Sequence, residues 1–129
     1  MDNYVIEDAI HDSISSLGED TCIRYSNTEG KLHNLSGPAV LSPNGAKVWY
    51  VNGKRHRLDG PACEWKDGDR EWFIDGKRHR LDGPAIQCDD GDSWYVGGVW
   101  CKNFKDFQKA AKLSDKQMCV LRLKYGEIR

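Results

Sequence analysis

Asn52-Gly-Lys-Arg-His-Arg-Leu-Asp-Gly-Pro-Ala62 is stated twice, returning 23 residues later as Asp75-Gly-Lys-Arg-His-Arg-Leu-Asp-Gly-Pro-Ala85. A looser copy, Gly30-Lys-Leu-His-Asn-Leu-Ser-Gly-Pro-Ala39, sits 23 residues earlier. Self-similarity at a fixed period is the signature of a repeat architecture, in which each unit buries its apolar face against its neighbours. Between the copies the punctuation is equally regular. Asn44-Gly45, Asp67-Gly68 and Asp90-Gly91 also lie 23 residues apart. Each reads as a two-residue type I′ hairpin turn, which needs positive φ at both central positions.

The residues flanking those turns are strand-like. They are Ala39–Ser42 and Lys47–Val51, Ala62–Trp65 and Glu71–Ile74, and Ala85–Cys88 and Ser93–Val96. Each unit therefore reads as a β-hairpin followed by a polar link, with Thr21–Tyr25 as a strand leading in. Two-residue turns set Val40 opposite Trp49 and Cys63 opposite Trp72. The third hairpin has one residue fewer between its glycine and its tryptophan, which predicts a bulge or altered loop at Asp89–Ser93. Leu58 and Leu81 read as core plugs. Gly60-Pro61 and Gly83-Pro84 read as fixed starts of the next strand.

The flanks are different. Residues 1–20 hold six acids and no Lys or Arg. Ile6, Ala9, Ile10, Ile14 and Leu17 recur there at helical spacing before Gly18, which predicts an amphipathic helix, either packed on the sheet or exposed for docking. After Trp100 the repeat stops. Asn103-Phe-Lys-Asp106 has the form of an N-cap, and Phe104, Phe107, Ala110 and Ala111 follow at helical spacing. Ser114-Asp-Lys-Gln117 reads as a capping box, with Met118, Leu121 and Tyr125 on one face and Gly126 as the stop. The expected organisation is an acidic N-terminal segment over 1–20 and β-hairpin repeats over 21–101, with units near 30–52, 53–75 and 76–97. Two short helices over 102–129 then cap the array. The fold class is mainly β (α+β): a twisted antiparallel sheet of repeated hairpins with an N-terminal helix and a C-terminal helical cap.

A net charge of -1 argues against a nucleic-acid binder, which is usually strongly basic. The five cysteines are odd in number and form no C-x-x-C pair, and no secretory leader or membrane span is legible. Reduced thiols and a cytoplasmic location follow. No nucleophile elbow, zinc-protease or phosphate-loop motif is present, and a unit stated twice behaves as scaffold, so the expectation is a non-enzymatic protein without cofactor.

Two surfaces are candidates for binding. One is the aromatic columns: Trp49, Trp72 and Trp94 on one face, Tyr50, Phe73 and Tyr95 on the other. An uncovered column would mark a protein-partner surface. The other is the Arg55-His56-Arg57 and Arg78-His79-Arg80 links, an alternative site for an anionic, nucleotide-like ligand. His33, His56 and His79 do not read as a metal site. Equivalent positions two strands apart lie ~10 Å from one another, and a zinc ligand sits ~2 Å from its ion. The expected role of each imidazole is a hydrogen bond that holds its link. Open sheet edges also permit a homodimer.

At Asn-Gly-Lys-x-His-x-x-x-Gly-Pro-Ala and Asp-Gly-x-x-x-Trp-Phe-Ile-Asp-Gly-Lys, residues 24–100 resemble MORN-like β-hairpin repeats. The resemblance is to the variant found in small proteins of large tailed bacteriophages. The wording His-Arg-Leu-Asp-Gly-Pro departs from that of ordinary MORN repeats, and the ends of the chain are not covered. The resemblance implies an extended antiparallel sheet and a binding role. It further implies a phage accessory protein in the host cytoplasm that inhibits a host defence or toxin protein.

Overall fold

The computed structural model describes residues 10–14, as backbone alone, and 22–126. Among these residues the chain is an antiparallel β-array closed by two helices. Strands β1 (Ile10–Ile14), β2 (Ile23–Ser26), β3 (Val40–Leu41), β4 (Lys47–Val48), β7 (Cys63–Glu64), β8 (Arg70–Glu71) and β11 (Ile86–Gln87) form one sheet in that order. Three small ribbons project from it. They pair β5 (Tyr50–Val51) with β6 (Lys54–Arg55), β9 (Phe73–Ile74) with β10 (Lys77–Arg78), and β12 (Trp94–Val96) with β13 (Val99–Cys101).

Each expected second strand is thus two strands. At Trp49 and Trp72 the chain changes partner. The Trp49 N–H still donates to Ala62 O across the main sheet at 2.7 Å, while its carbonyl accepts from His56 N–H at 3.2 Å in its own ribbon. Trp72 repeats this with Ala85 and His79 at 2.8 and 3.2 Å. The link phrase therefore contains a hairpin of its own.

The turn chemistry is redistributed accordingly. The type I′ turns are Asn52-Gly53 (φ 51° and 82°), Asp75-Gly76 (49° and 81°) and Gly97-Gly98 (58° and 88°). At Asn44-Gly45 and Asp67-Gly68 only the glycine has positive φ. There the loop has three residues: Ser42 N–H donates to Ala46 O at 3.0 Å, and the Asn44 side chain accepts from Ala46 N–H. A type I turn closed by a left-handed glycine has this form. One extra loop residue moves the register by one, so Val40 pairs with Val48 and Cys63 with Glu71 rather than with the tryptophans. The third loop is altered, as the short count requires. Ile86 pairs with Ser93, and the chain turns tightly between Cys88 and Gly91.

Within residues 10–14 the expected N-terminal helix is instead the strand β1, paired with β2 and interrupted by a bulge between His11 and Ser13. The i,i+4 spacing of Ile10 and Ile14 suits a helical turn, but the free edge of β2 offers a ladder of backbone partners that an isolated turn lacks. The remainder of the expected helix lies outside the described residues.

The C-terminal reading holds. Helix α1 (Phe104–Ala111) begins at Asn103, whose side chain accepts from Asp106 N–H. Helix α2 (Asp115–Tyr125) begins with the Ser114/Gln117 capping box and ends at Gly126. Phe104, Phe107, Met118 and Leu121 join Trp94 and Cys101 in one hydrophobic cluster. A second cluster, Val48, Ala62, Cys63 and Phe73, fills the middle of the array. Among the described residues no helix is long and apolar enough to cross a membrane.

Two outcomes are expected. Gly97 already has the φ of Asn52 and Asp75, and a Cβ there would meet open space. Gly97→Asn should therefore stabilise the fold by ~0.4–1 kcal/mol in urea unfolding, by restricting the unfolded chain. Burial pushes the Cys63 thiol up to about 11. It stays protonated at pH 8, so a thiol reagent should label exposed Cys119 quickly and reach Cys63 only on unfolding. Because the folded-state value lies above the free-thiol value, the stability from burying Cys63 is present below pH ~9 and falls as pH rises towards 11.

Candidate functional site: two clefts between successive links

Every residue of the repeated phrase has a place in the geometry. The first turn residue donates its N–H to the imidazole of the preceding link. Asn52 donates to His33 Nδ1 at 3.0 Å, Asp75 to His56 Nδ1 at 3.0 Å and Gly97 to His79 Nδ1 at 2.9 Å. The next N–H, of Gly53, Gly76 or Gly98, donates at 2.8 Å to the carbonyl just before that histidine, on Leu32, Arg55 or Arg78. The lysine stems of Lys31, Lys54 and Lys77 lie over these glycines. Each imidazole thus holds the turn of the following unit, not its own link.

The basic tetrads divide into two rows. Arg55 and Arg78 face the Tyr50/Phe73/Tyr95 column. Arg55 lies 5.3 Å from the Phe73 ring centre, and Arg78 lies 5.6 and 5.5 Å from those of Phe73 and Tyr95. Arg78 also pairs with Glu71 at 3.2 Å. Arg57 and Arg80 face the tryptophans. Their guanidinium carbons stand 3.8 and 3.7 Å from the ring centres of Trp49 and Trp72.

Those two guanidinium groups are heavily engaged. Arg57 donates Nε–H to Asp59 at 2.9 Å, and Nη1–H to Pro61 O at 3.0 Å and Glu64 at 3.1 Å. Arg80 donates to Asp82 at 2.9 Å, Pro84 O at 3.1 Å and the Tyr125 hydroxyl at 3.3 Å. Gly60 and Gly83 are needed for room. A Cβ on Gly60 would come within 3.0 Å of Arg57 Cζ, and one on Gly83 within 2.7 Å of Arg80 Cζ.

With the links tethered from inside, their leucines face outward. Leu58 is 81% exposed and Leu81 42%, and Leu35 in the first copy is 41%. The expected core plugs are therefore surface residues. They wall two similar clefts among the described residues. The first, of about 660 Å³, lies between the link of Asn34–Pro38 and that of His56–Asp59, with Trp49 and Val51 in its lining. The second, of about 610 Å³, lies between Arg57–Gly60 and His79–Asp82, with Trp72 and Ile74 in its lining. Leu58 belongs to both.

The sequence-predicted aromatic site is thereby split. Trp49 and Trp72 are half-buried within the clefts. Phe73 belongs to the central cluster, with Tyr50 packed against it. Trp94 is buried, enclosed edge-to-face by Phe104, Phe107 and Tyr125 at 5.1, 4.8 and 5.5 Å between ring centres. Tyr95 is half-buried beside Arg78. The leucine row was missed as a surface feature, although its 23-residue recurrence beside an acid or serine was legible. No family model, no curated protein and no solved structure matches the chain.

The stacked fork predicts a measurable asymmetry. Arg57→Lys keeps the charge but loses the plane over Trp49 and the divergent donors, and should cost ~1–2 kcal/mol by urea unfolding. Exposed Arg24→Lys should change stability by less than ~0.5 kcal/mol.

Proposed function

We propose that this chain is a non-enzymatic binding protein that holds a protein partner across its two link clefts. The observation that carries this reading is the repeated exposure of Leu35, Leu58 and Leu81 as cleft walls, beside tryptophans that are only half-covered. A single exposed leucine is ordinary. A periodic row flanking aromatic floors has the composition of a partner surface, in which aromatic anchors supply most of the affinity. The recurring His, Arg, Asp and Gly residues are occupied in joining repeats, which supports a scaffold rather than a catalytic role. The more specific form of the proposal, a phage accessory protein inhibiting a host defence or toxin protein in the host cytoplasm, rests on the resemblance of the repeat wording.

The alternative, an anionic ligand held by Arg55, His56, Arg57, Arg78, His79 and Arg80, has less support. The arginines lie in two separate rows, and Arg57, Arg78 and Arg80 are already paired with carboxylates. An anion would have to displace them.

Affinity capture from phage-infected bacterial lysate tests the main reading, with the wild-type chain run beside Leu58→Asn/Leu81→Asn. Both leucines are exposed, so the variant should unfold at the wild-type temperature. The expected result is a protein retained by the wild type and lost from the variant. Equal retention by both, or a folded bait that retains nothing, overturns it.

A further inference from the structure

The spacing of the clefts selects a kind of occupant. β4, β7 and β8 are successive neighbours in the main sheet, and Trp49 and Trp72 each stand one residue beyond β4 and β8. The two clefts are therefore two strand spacings apart, roughly 9.5 Å. A ligand that fills both must straddle Leu58, the wall they share, and deliver side chains at that interval. A β-strand presents same-face residues only ~6.8 Å apart. An α-helix presents them at ~5.4 Å, or ~10.5 Å seven residues apart, on a body ~10–12 Å wide. A polyproline-II helix rises ~3.1 Å per residue with three residues per turn, so positions i and i+3 lie on one side ~9.3 Å apart.

Charge and lining chemistry add to the match. Each cleft has an indole in its lining, and aromatic-lined grooves are the usual receptors for proline rings, whose fixed backbone loses little entropy on binding. Asp59 and Asp82 stand on the links with side chains 86% and 83% exposed. Each gives Oδ1 to the Nε–H of its own arginine. Their second oxygens place one carboxylate per repeat at the rim, with the same period as the clefts. Arg57 is matched by Glu64 as well as Asp59, leaving an acidic balance on the shared link.

Building on the protein-partner reading above, we propose that the element recognised is an extended polyproline-II segment. It carries apolar residues, proline foremost, three positions apart, with a Lys or Arg between them. The two apolar side chains enter the clefts on either side of Leu58, and the basic residue meets the rim carboxylates.

Fluorescence anisotropy tests this with a labelled ~12-residue peptide repeating Pro-Pro-Lys, compared with a Gly-Ser-Lys repeat of equal length and charge. The Pro-Pro-Lys peptide should bind at micromolar concentration, about tenfold or more tighter than the flexible one. Leu58→Asn should weaken it by about tenfold without changing the unfolding temperature. In amide NMR spectra of the wild type, shifts should concentrate at residues 34–38, 56–60 and 79–82. Equal binding of both peptides, binding unchanged in Leu58→Asn, or no binding up to about 1 mM overturns the proposal. If the peptide fails while the capture experiment yields a partner lost from Leu58→Asn/Leu81→Asn, only the polyproline inference falls. Failure of both removes the partner reading as well.

Discussion

A type I′ turn aims two successive N–H groups outward, and something must accept them. With positive φ at both central residues the amides converge on one side, a small concave donor site. In this protein the acceptors come from the preceding unit. They are an imidazole Nδ1 and the adjacent backbone carbonyl, met at 2.8–3.0 Å at each of three junctions. Each bond contributes on the order of 1 kcal/mol net, because the tips are near water. Their importance lies in position. They fix where each ribbon sits on the one before it, so the 23-residue period becomes a spatial period. An imidazole that accepts at Nδ1 carries its proton at Nε2, so the histidines act here as shaped acceptors.

The arginine and tryptophan depend on that placement, and the chain carries its own control. Arg57 and Arg80 each cover the indole eight residues earlier and each bind the carbonyl of the proline four residues later. In the first copy the arginine position is Asn34 and the tryptophan position is Ser26. Asn34 still binds its proline carbonyl, donating Nδ2–H to Pro38 O at 3.0 Å. The long guanidinium has disappeared together with the ring it would cover. The carbonyl tether is thus the constant requirement of the link, and the planar cation is an addition made where there is an indole to stack on.

What could be read from the chain follows the range of the interaction involved. The helix caps at Asn103 and Ser114 were legible because a capping side chain binds a backbone amide three residues away. The repeat period and the antiparallel hairpins were legible for a similar reason. The turns were harder. Asn44-Gly45 and Asn52-Gly53 are the same dipeptide, yet only the second has positive φ at both residues. What separates them is which neighbouring strand receives the amides, a contact between units that no local window contains. Leu58 misled for a related reason. A leucine in a repeat defaults to the core, but His56 and Arg57 tether the inner side of this link and leave its apex facing solvent. Trp49, Trp72 and Trp94 are equivalent in sequence, while their surroundings are decided by what lies eight residues on and by the helices.

That last difference explains where the exposed surface stops. Every indole in the array has a cover, but the covers differ in what they leave open. Arg57 and Arg80 lie flat over one face and leave the flank of the ring in a cleft between links. At the third unit the arginine position is Lys102, and Phe104, Phe107 and Tyr125 surround Trp94 instead. Aromatic edges from three sides bury the ring and end the series of clefts. The same helices then reach back through the Tyr125 hydroxyl to Arg80 Nη2, anchoring the last open link. Closing a repeat array at its end requires apolar cover, whereas keeping a cleft accessible requires a cover that is itself polar and planar. The alternation of arginine and helix over one tryptophan column therefore confines the accessible aromatic surface to the two junctions around Leu58.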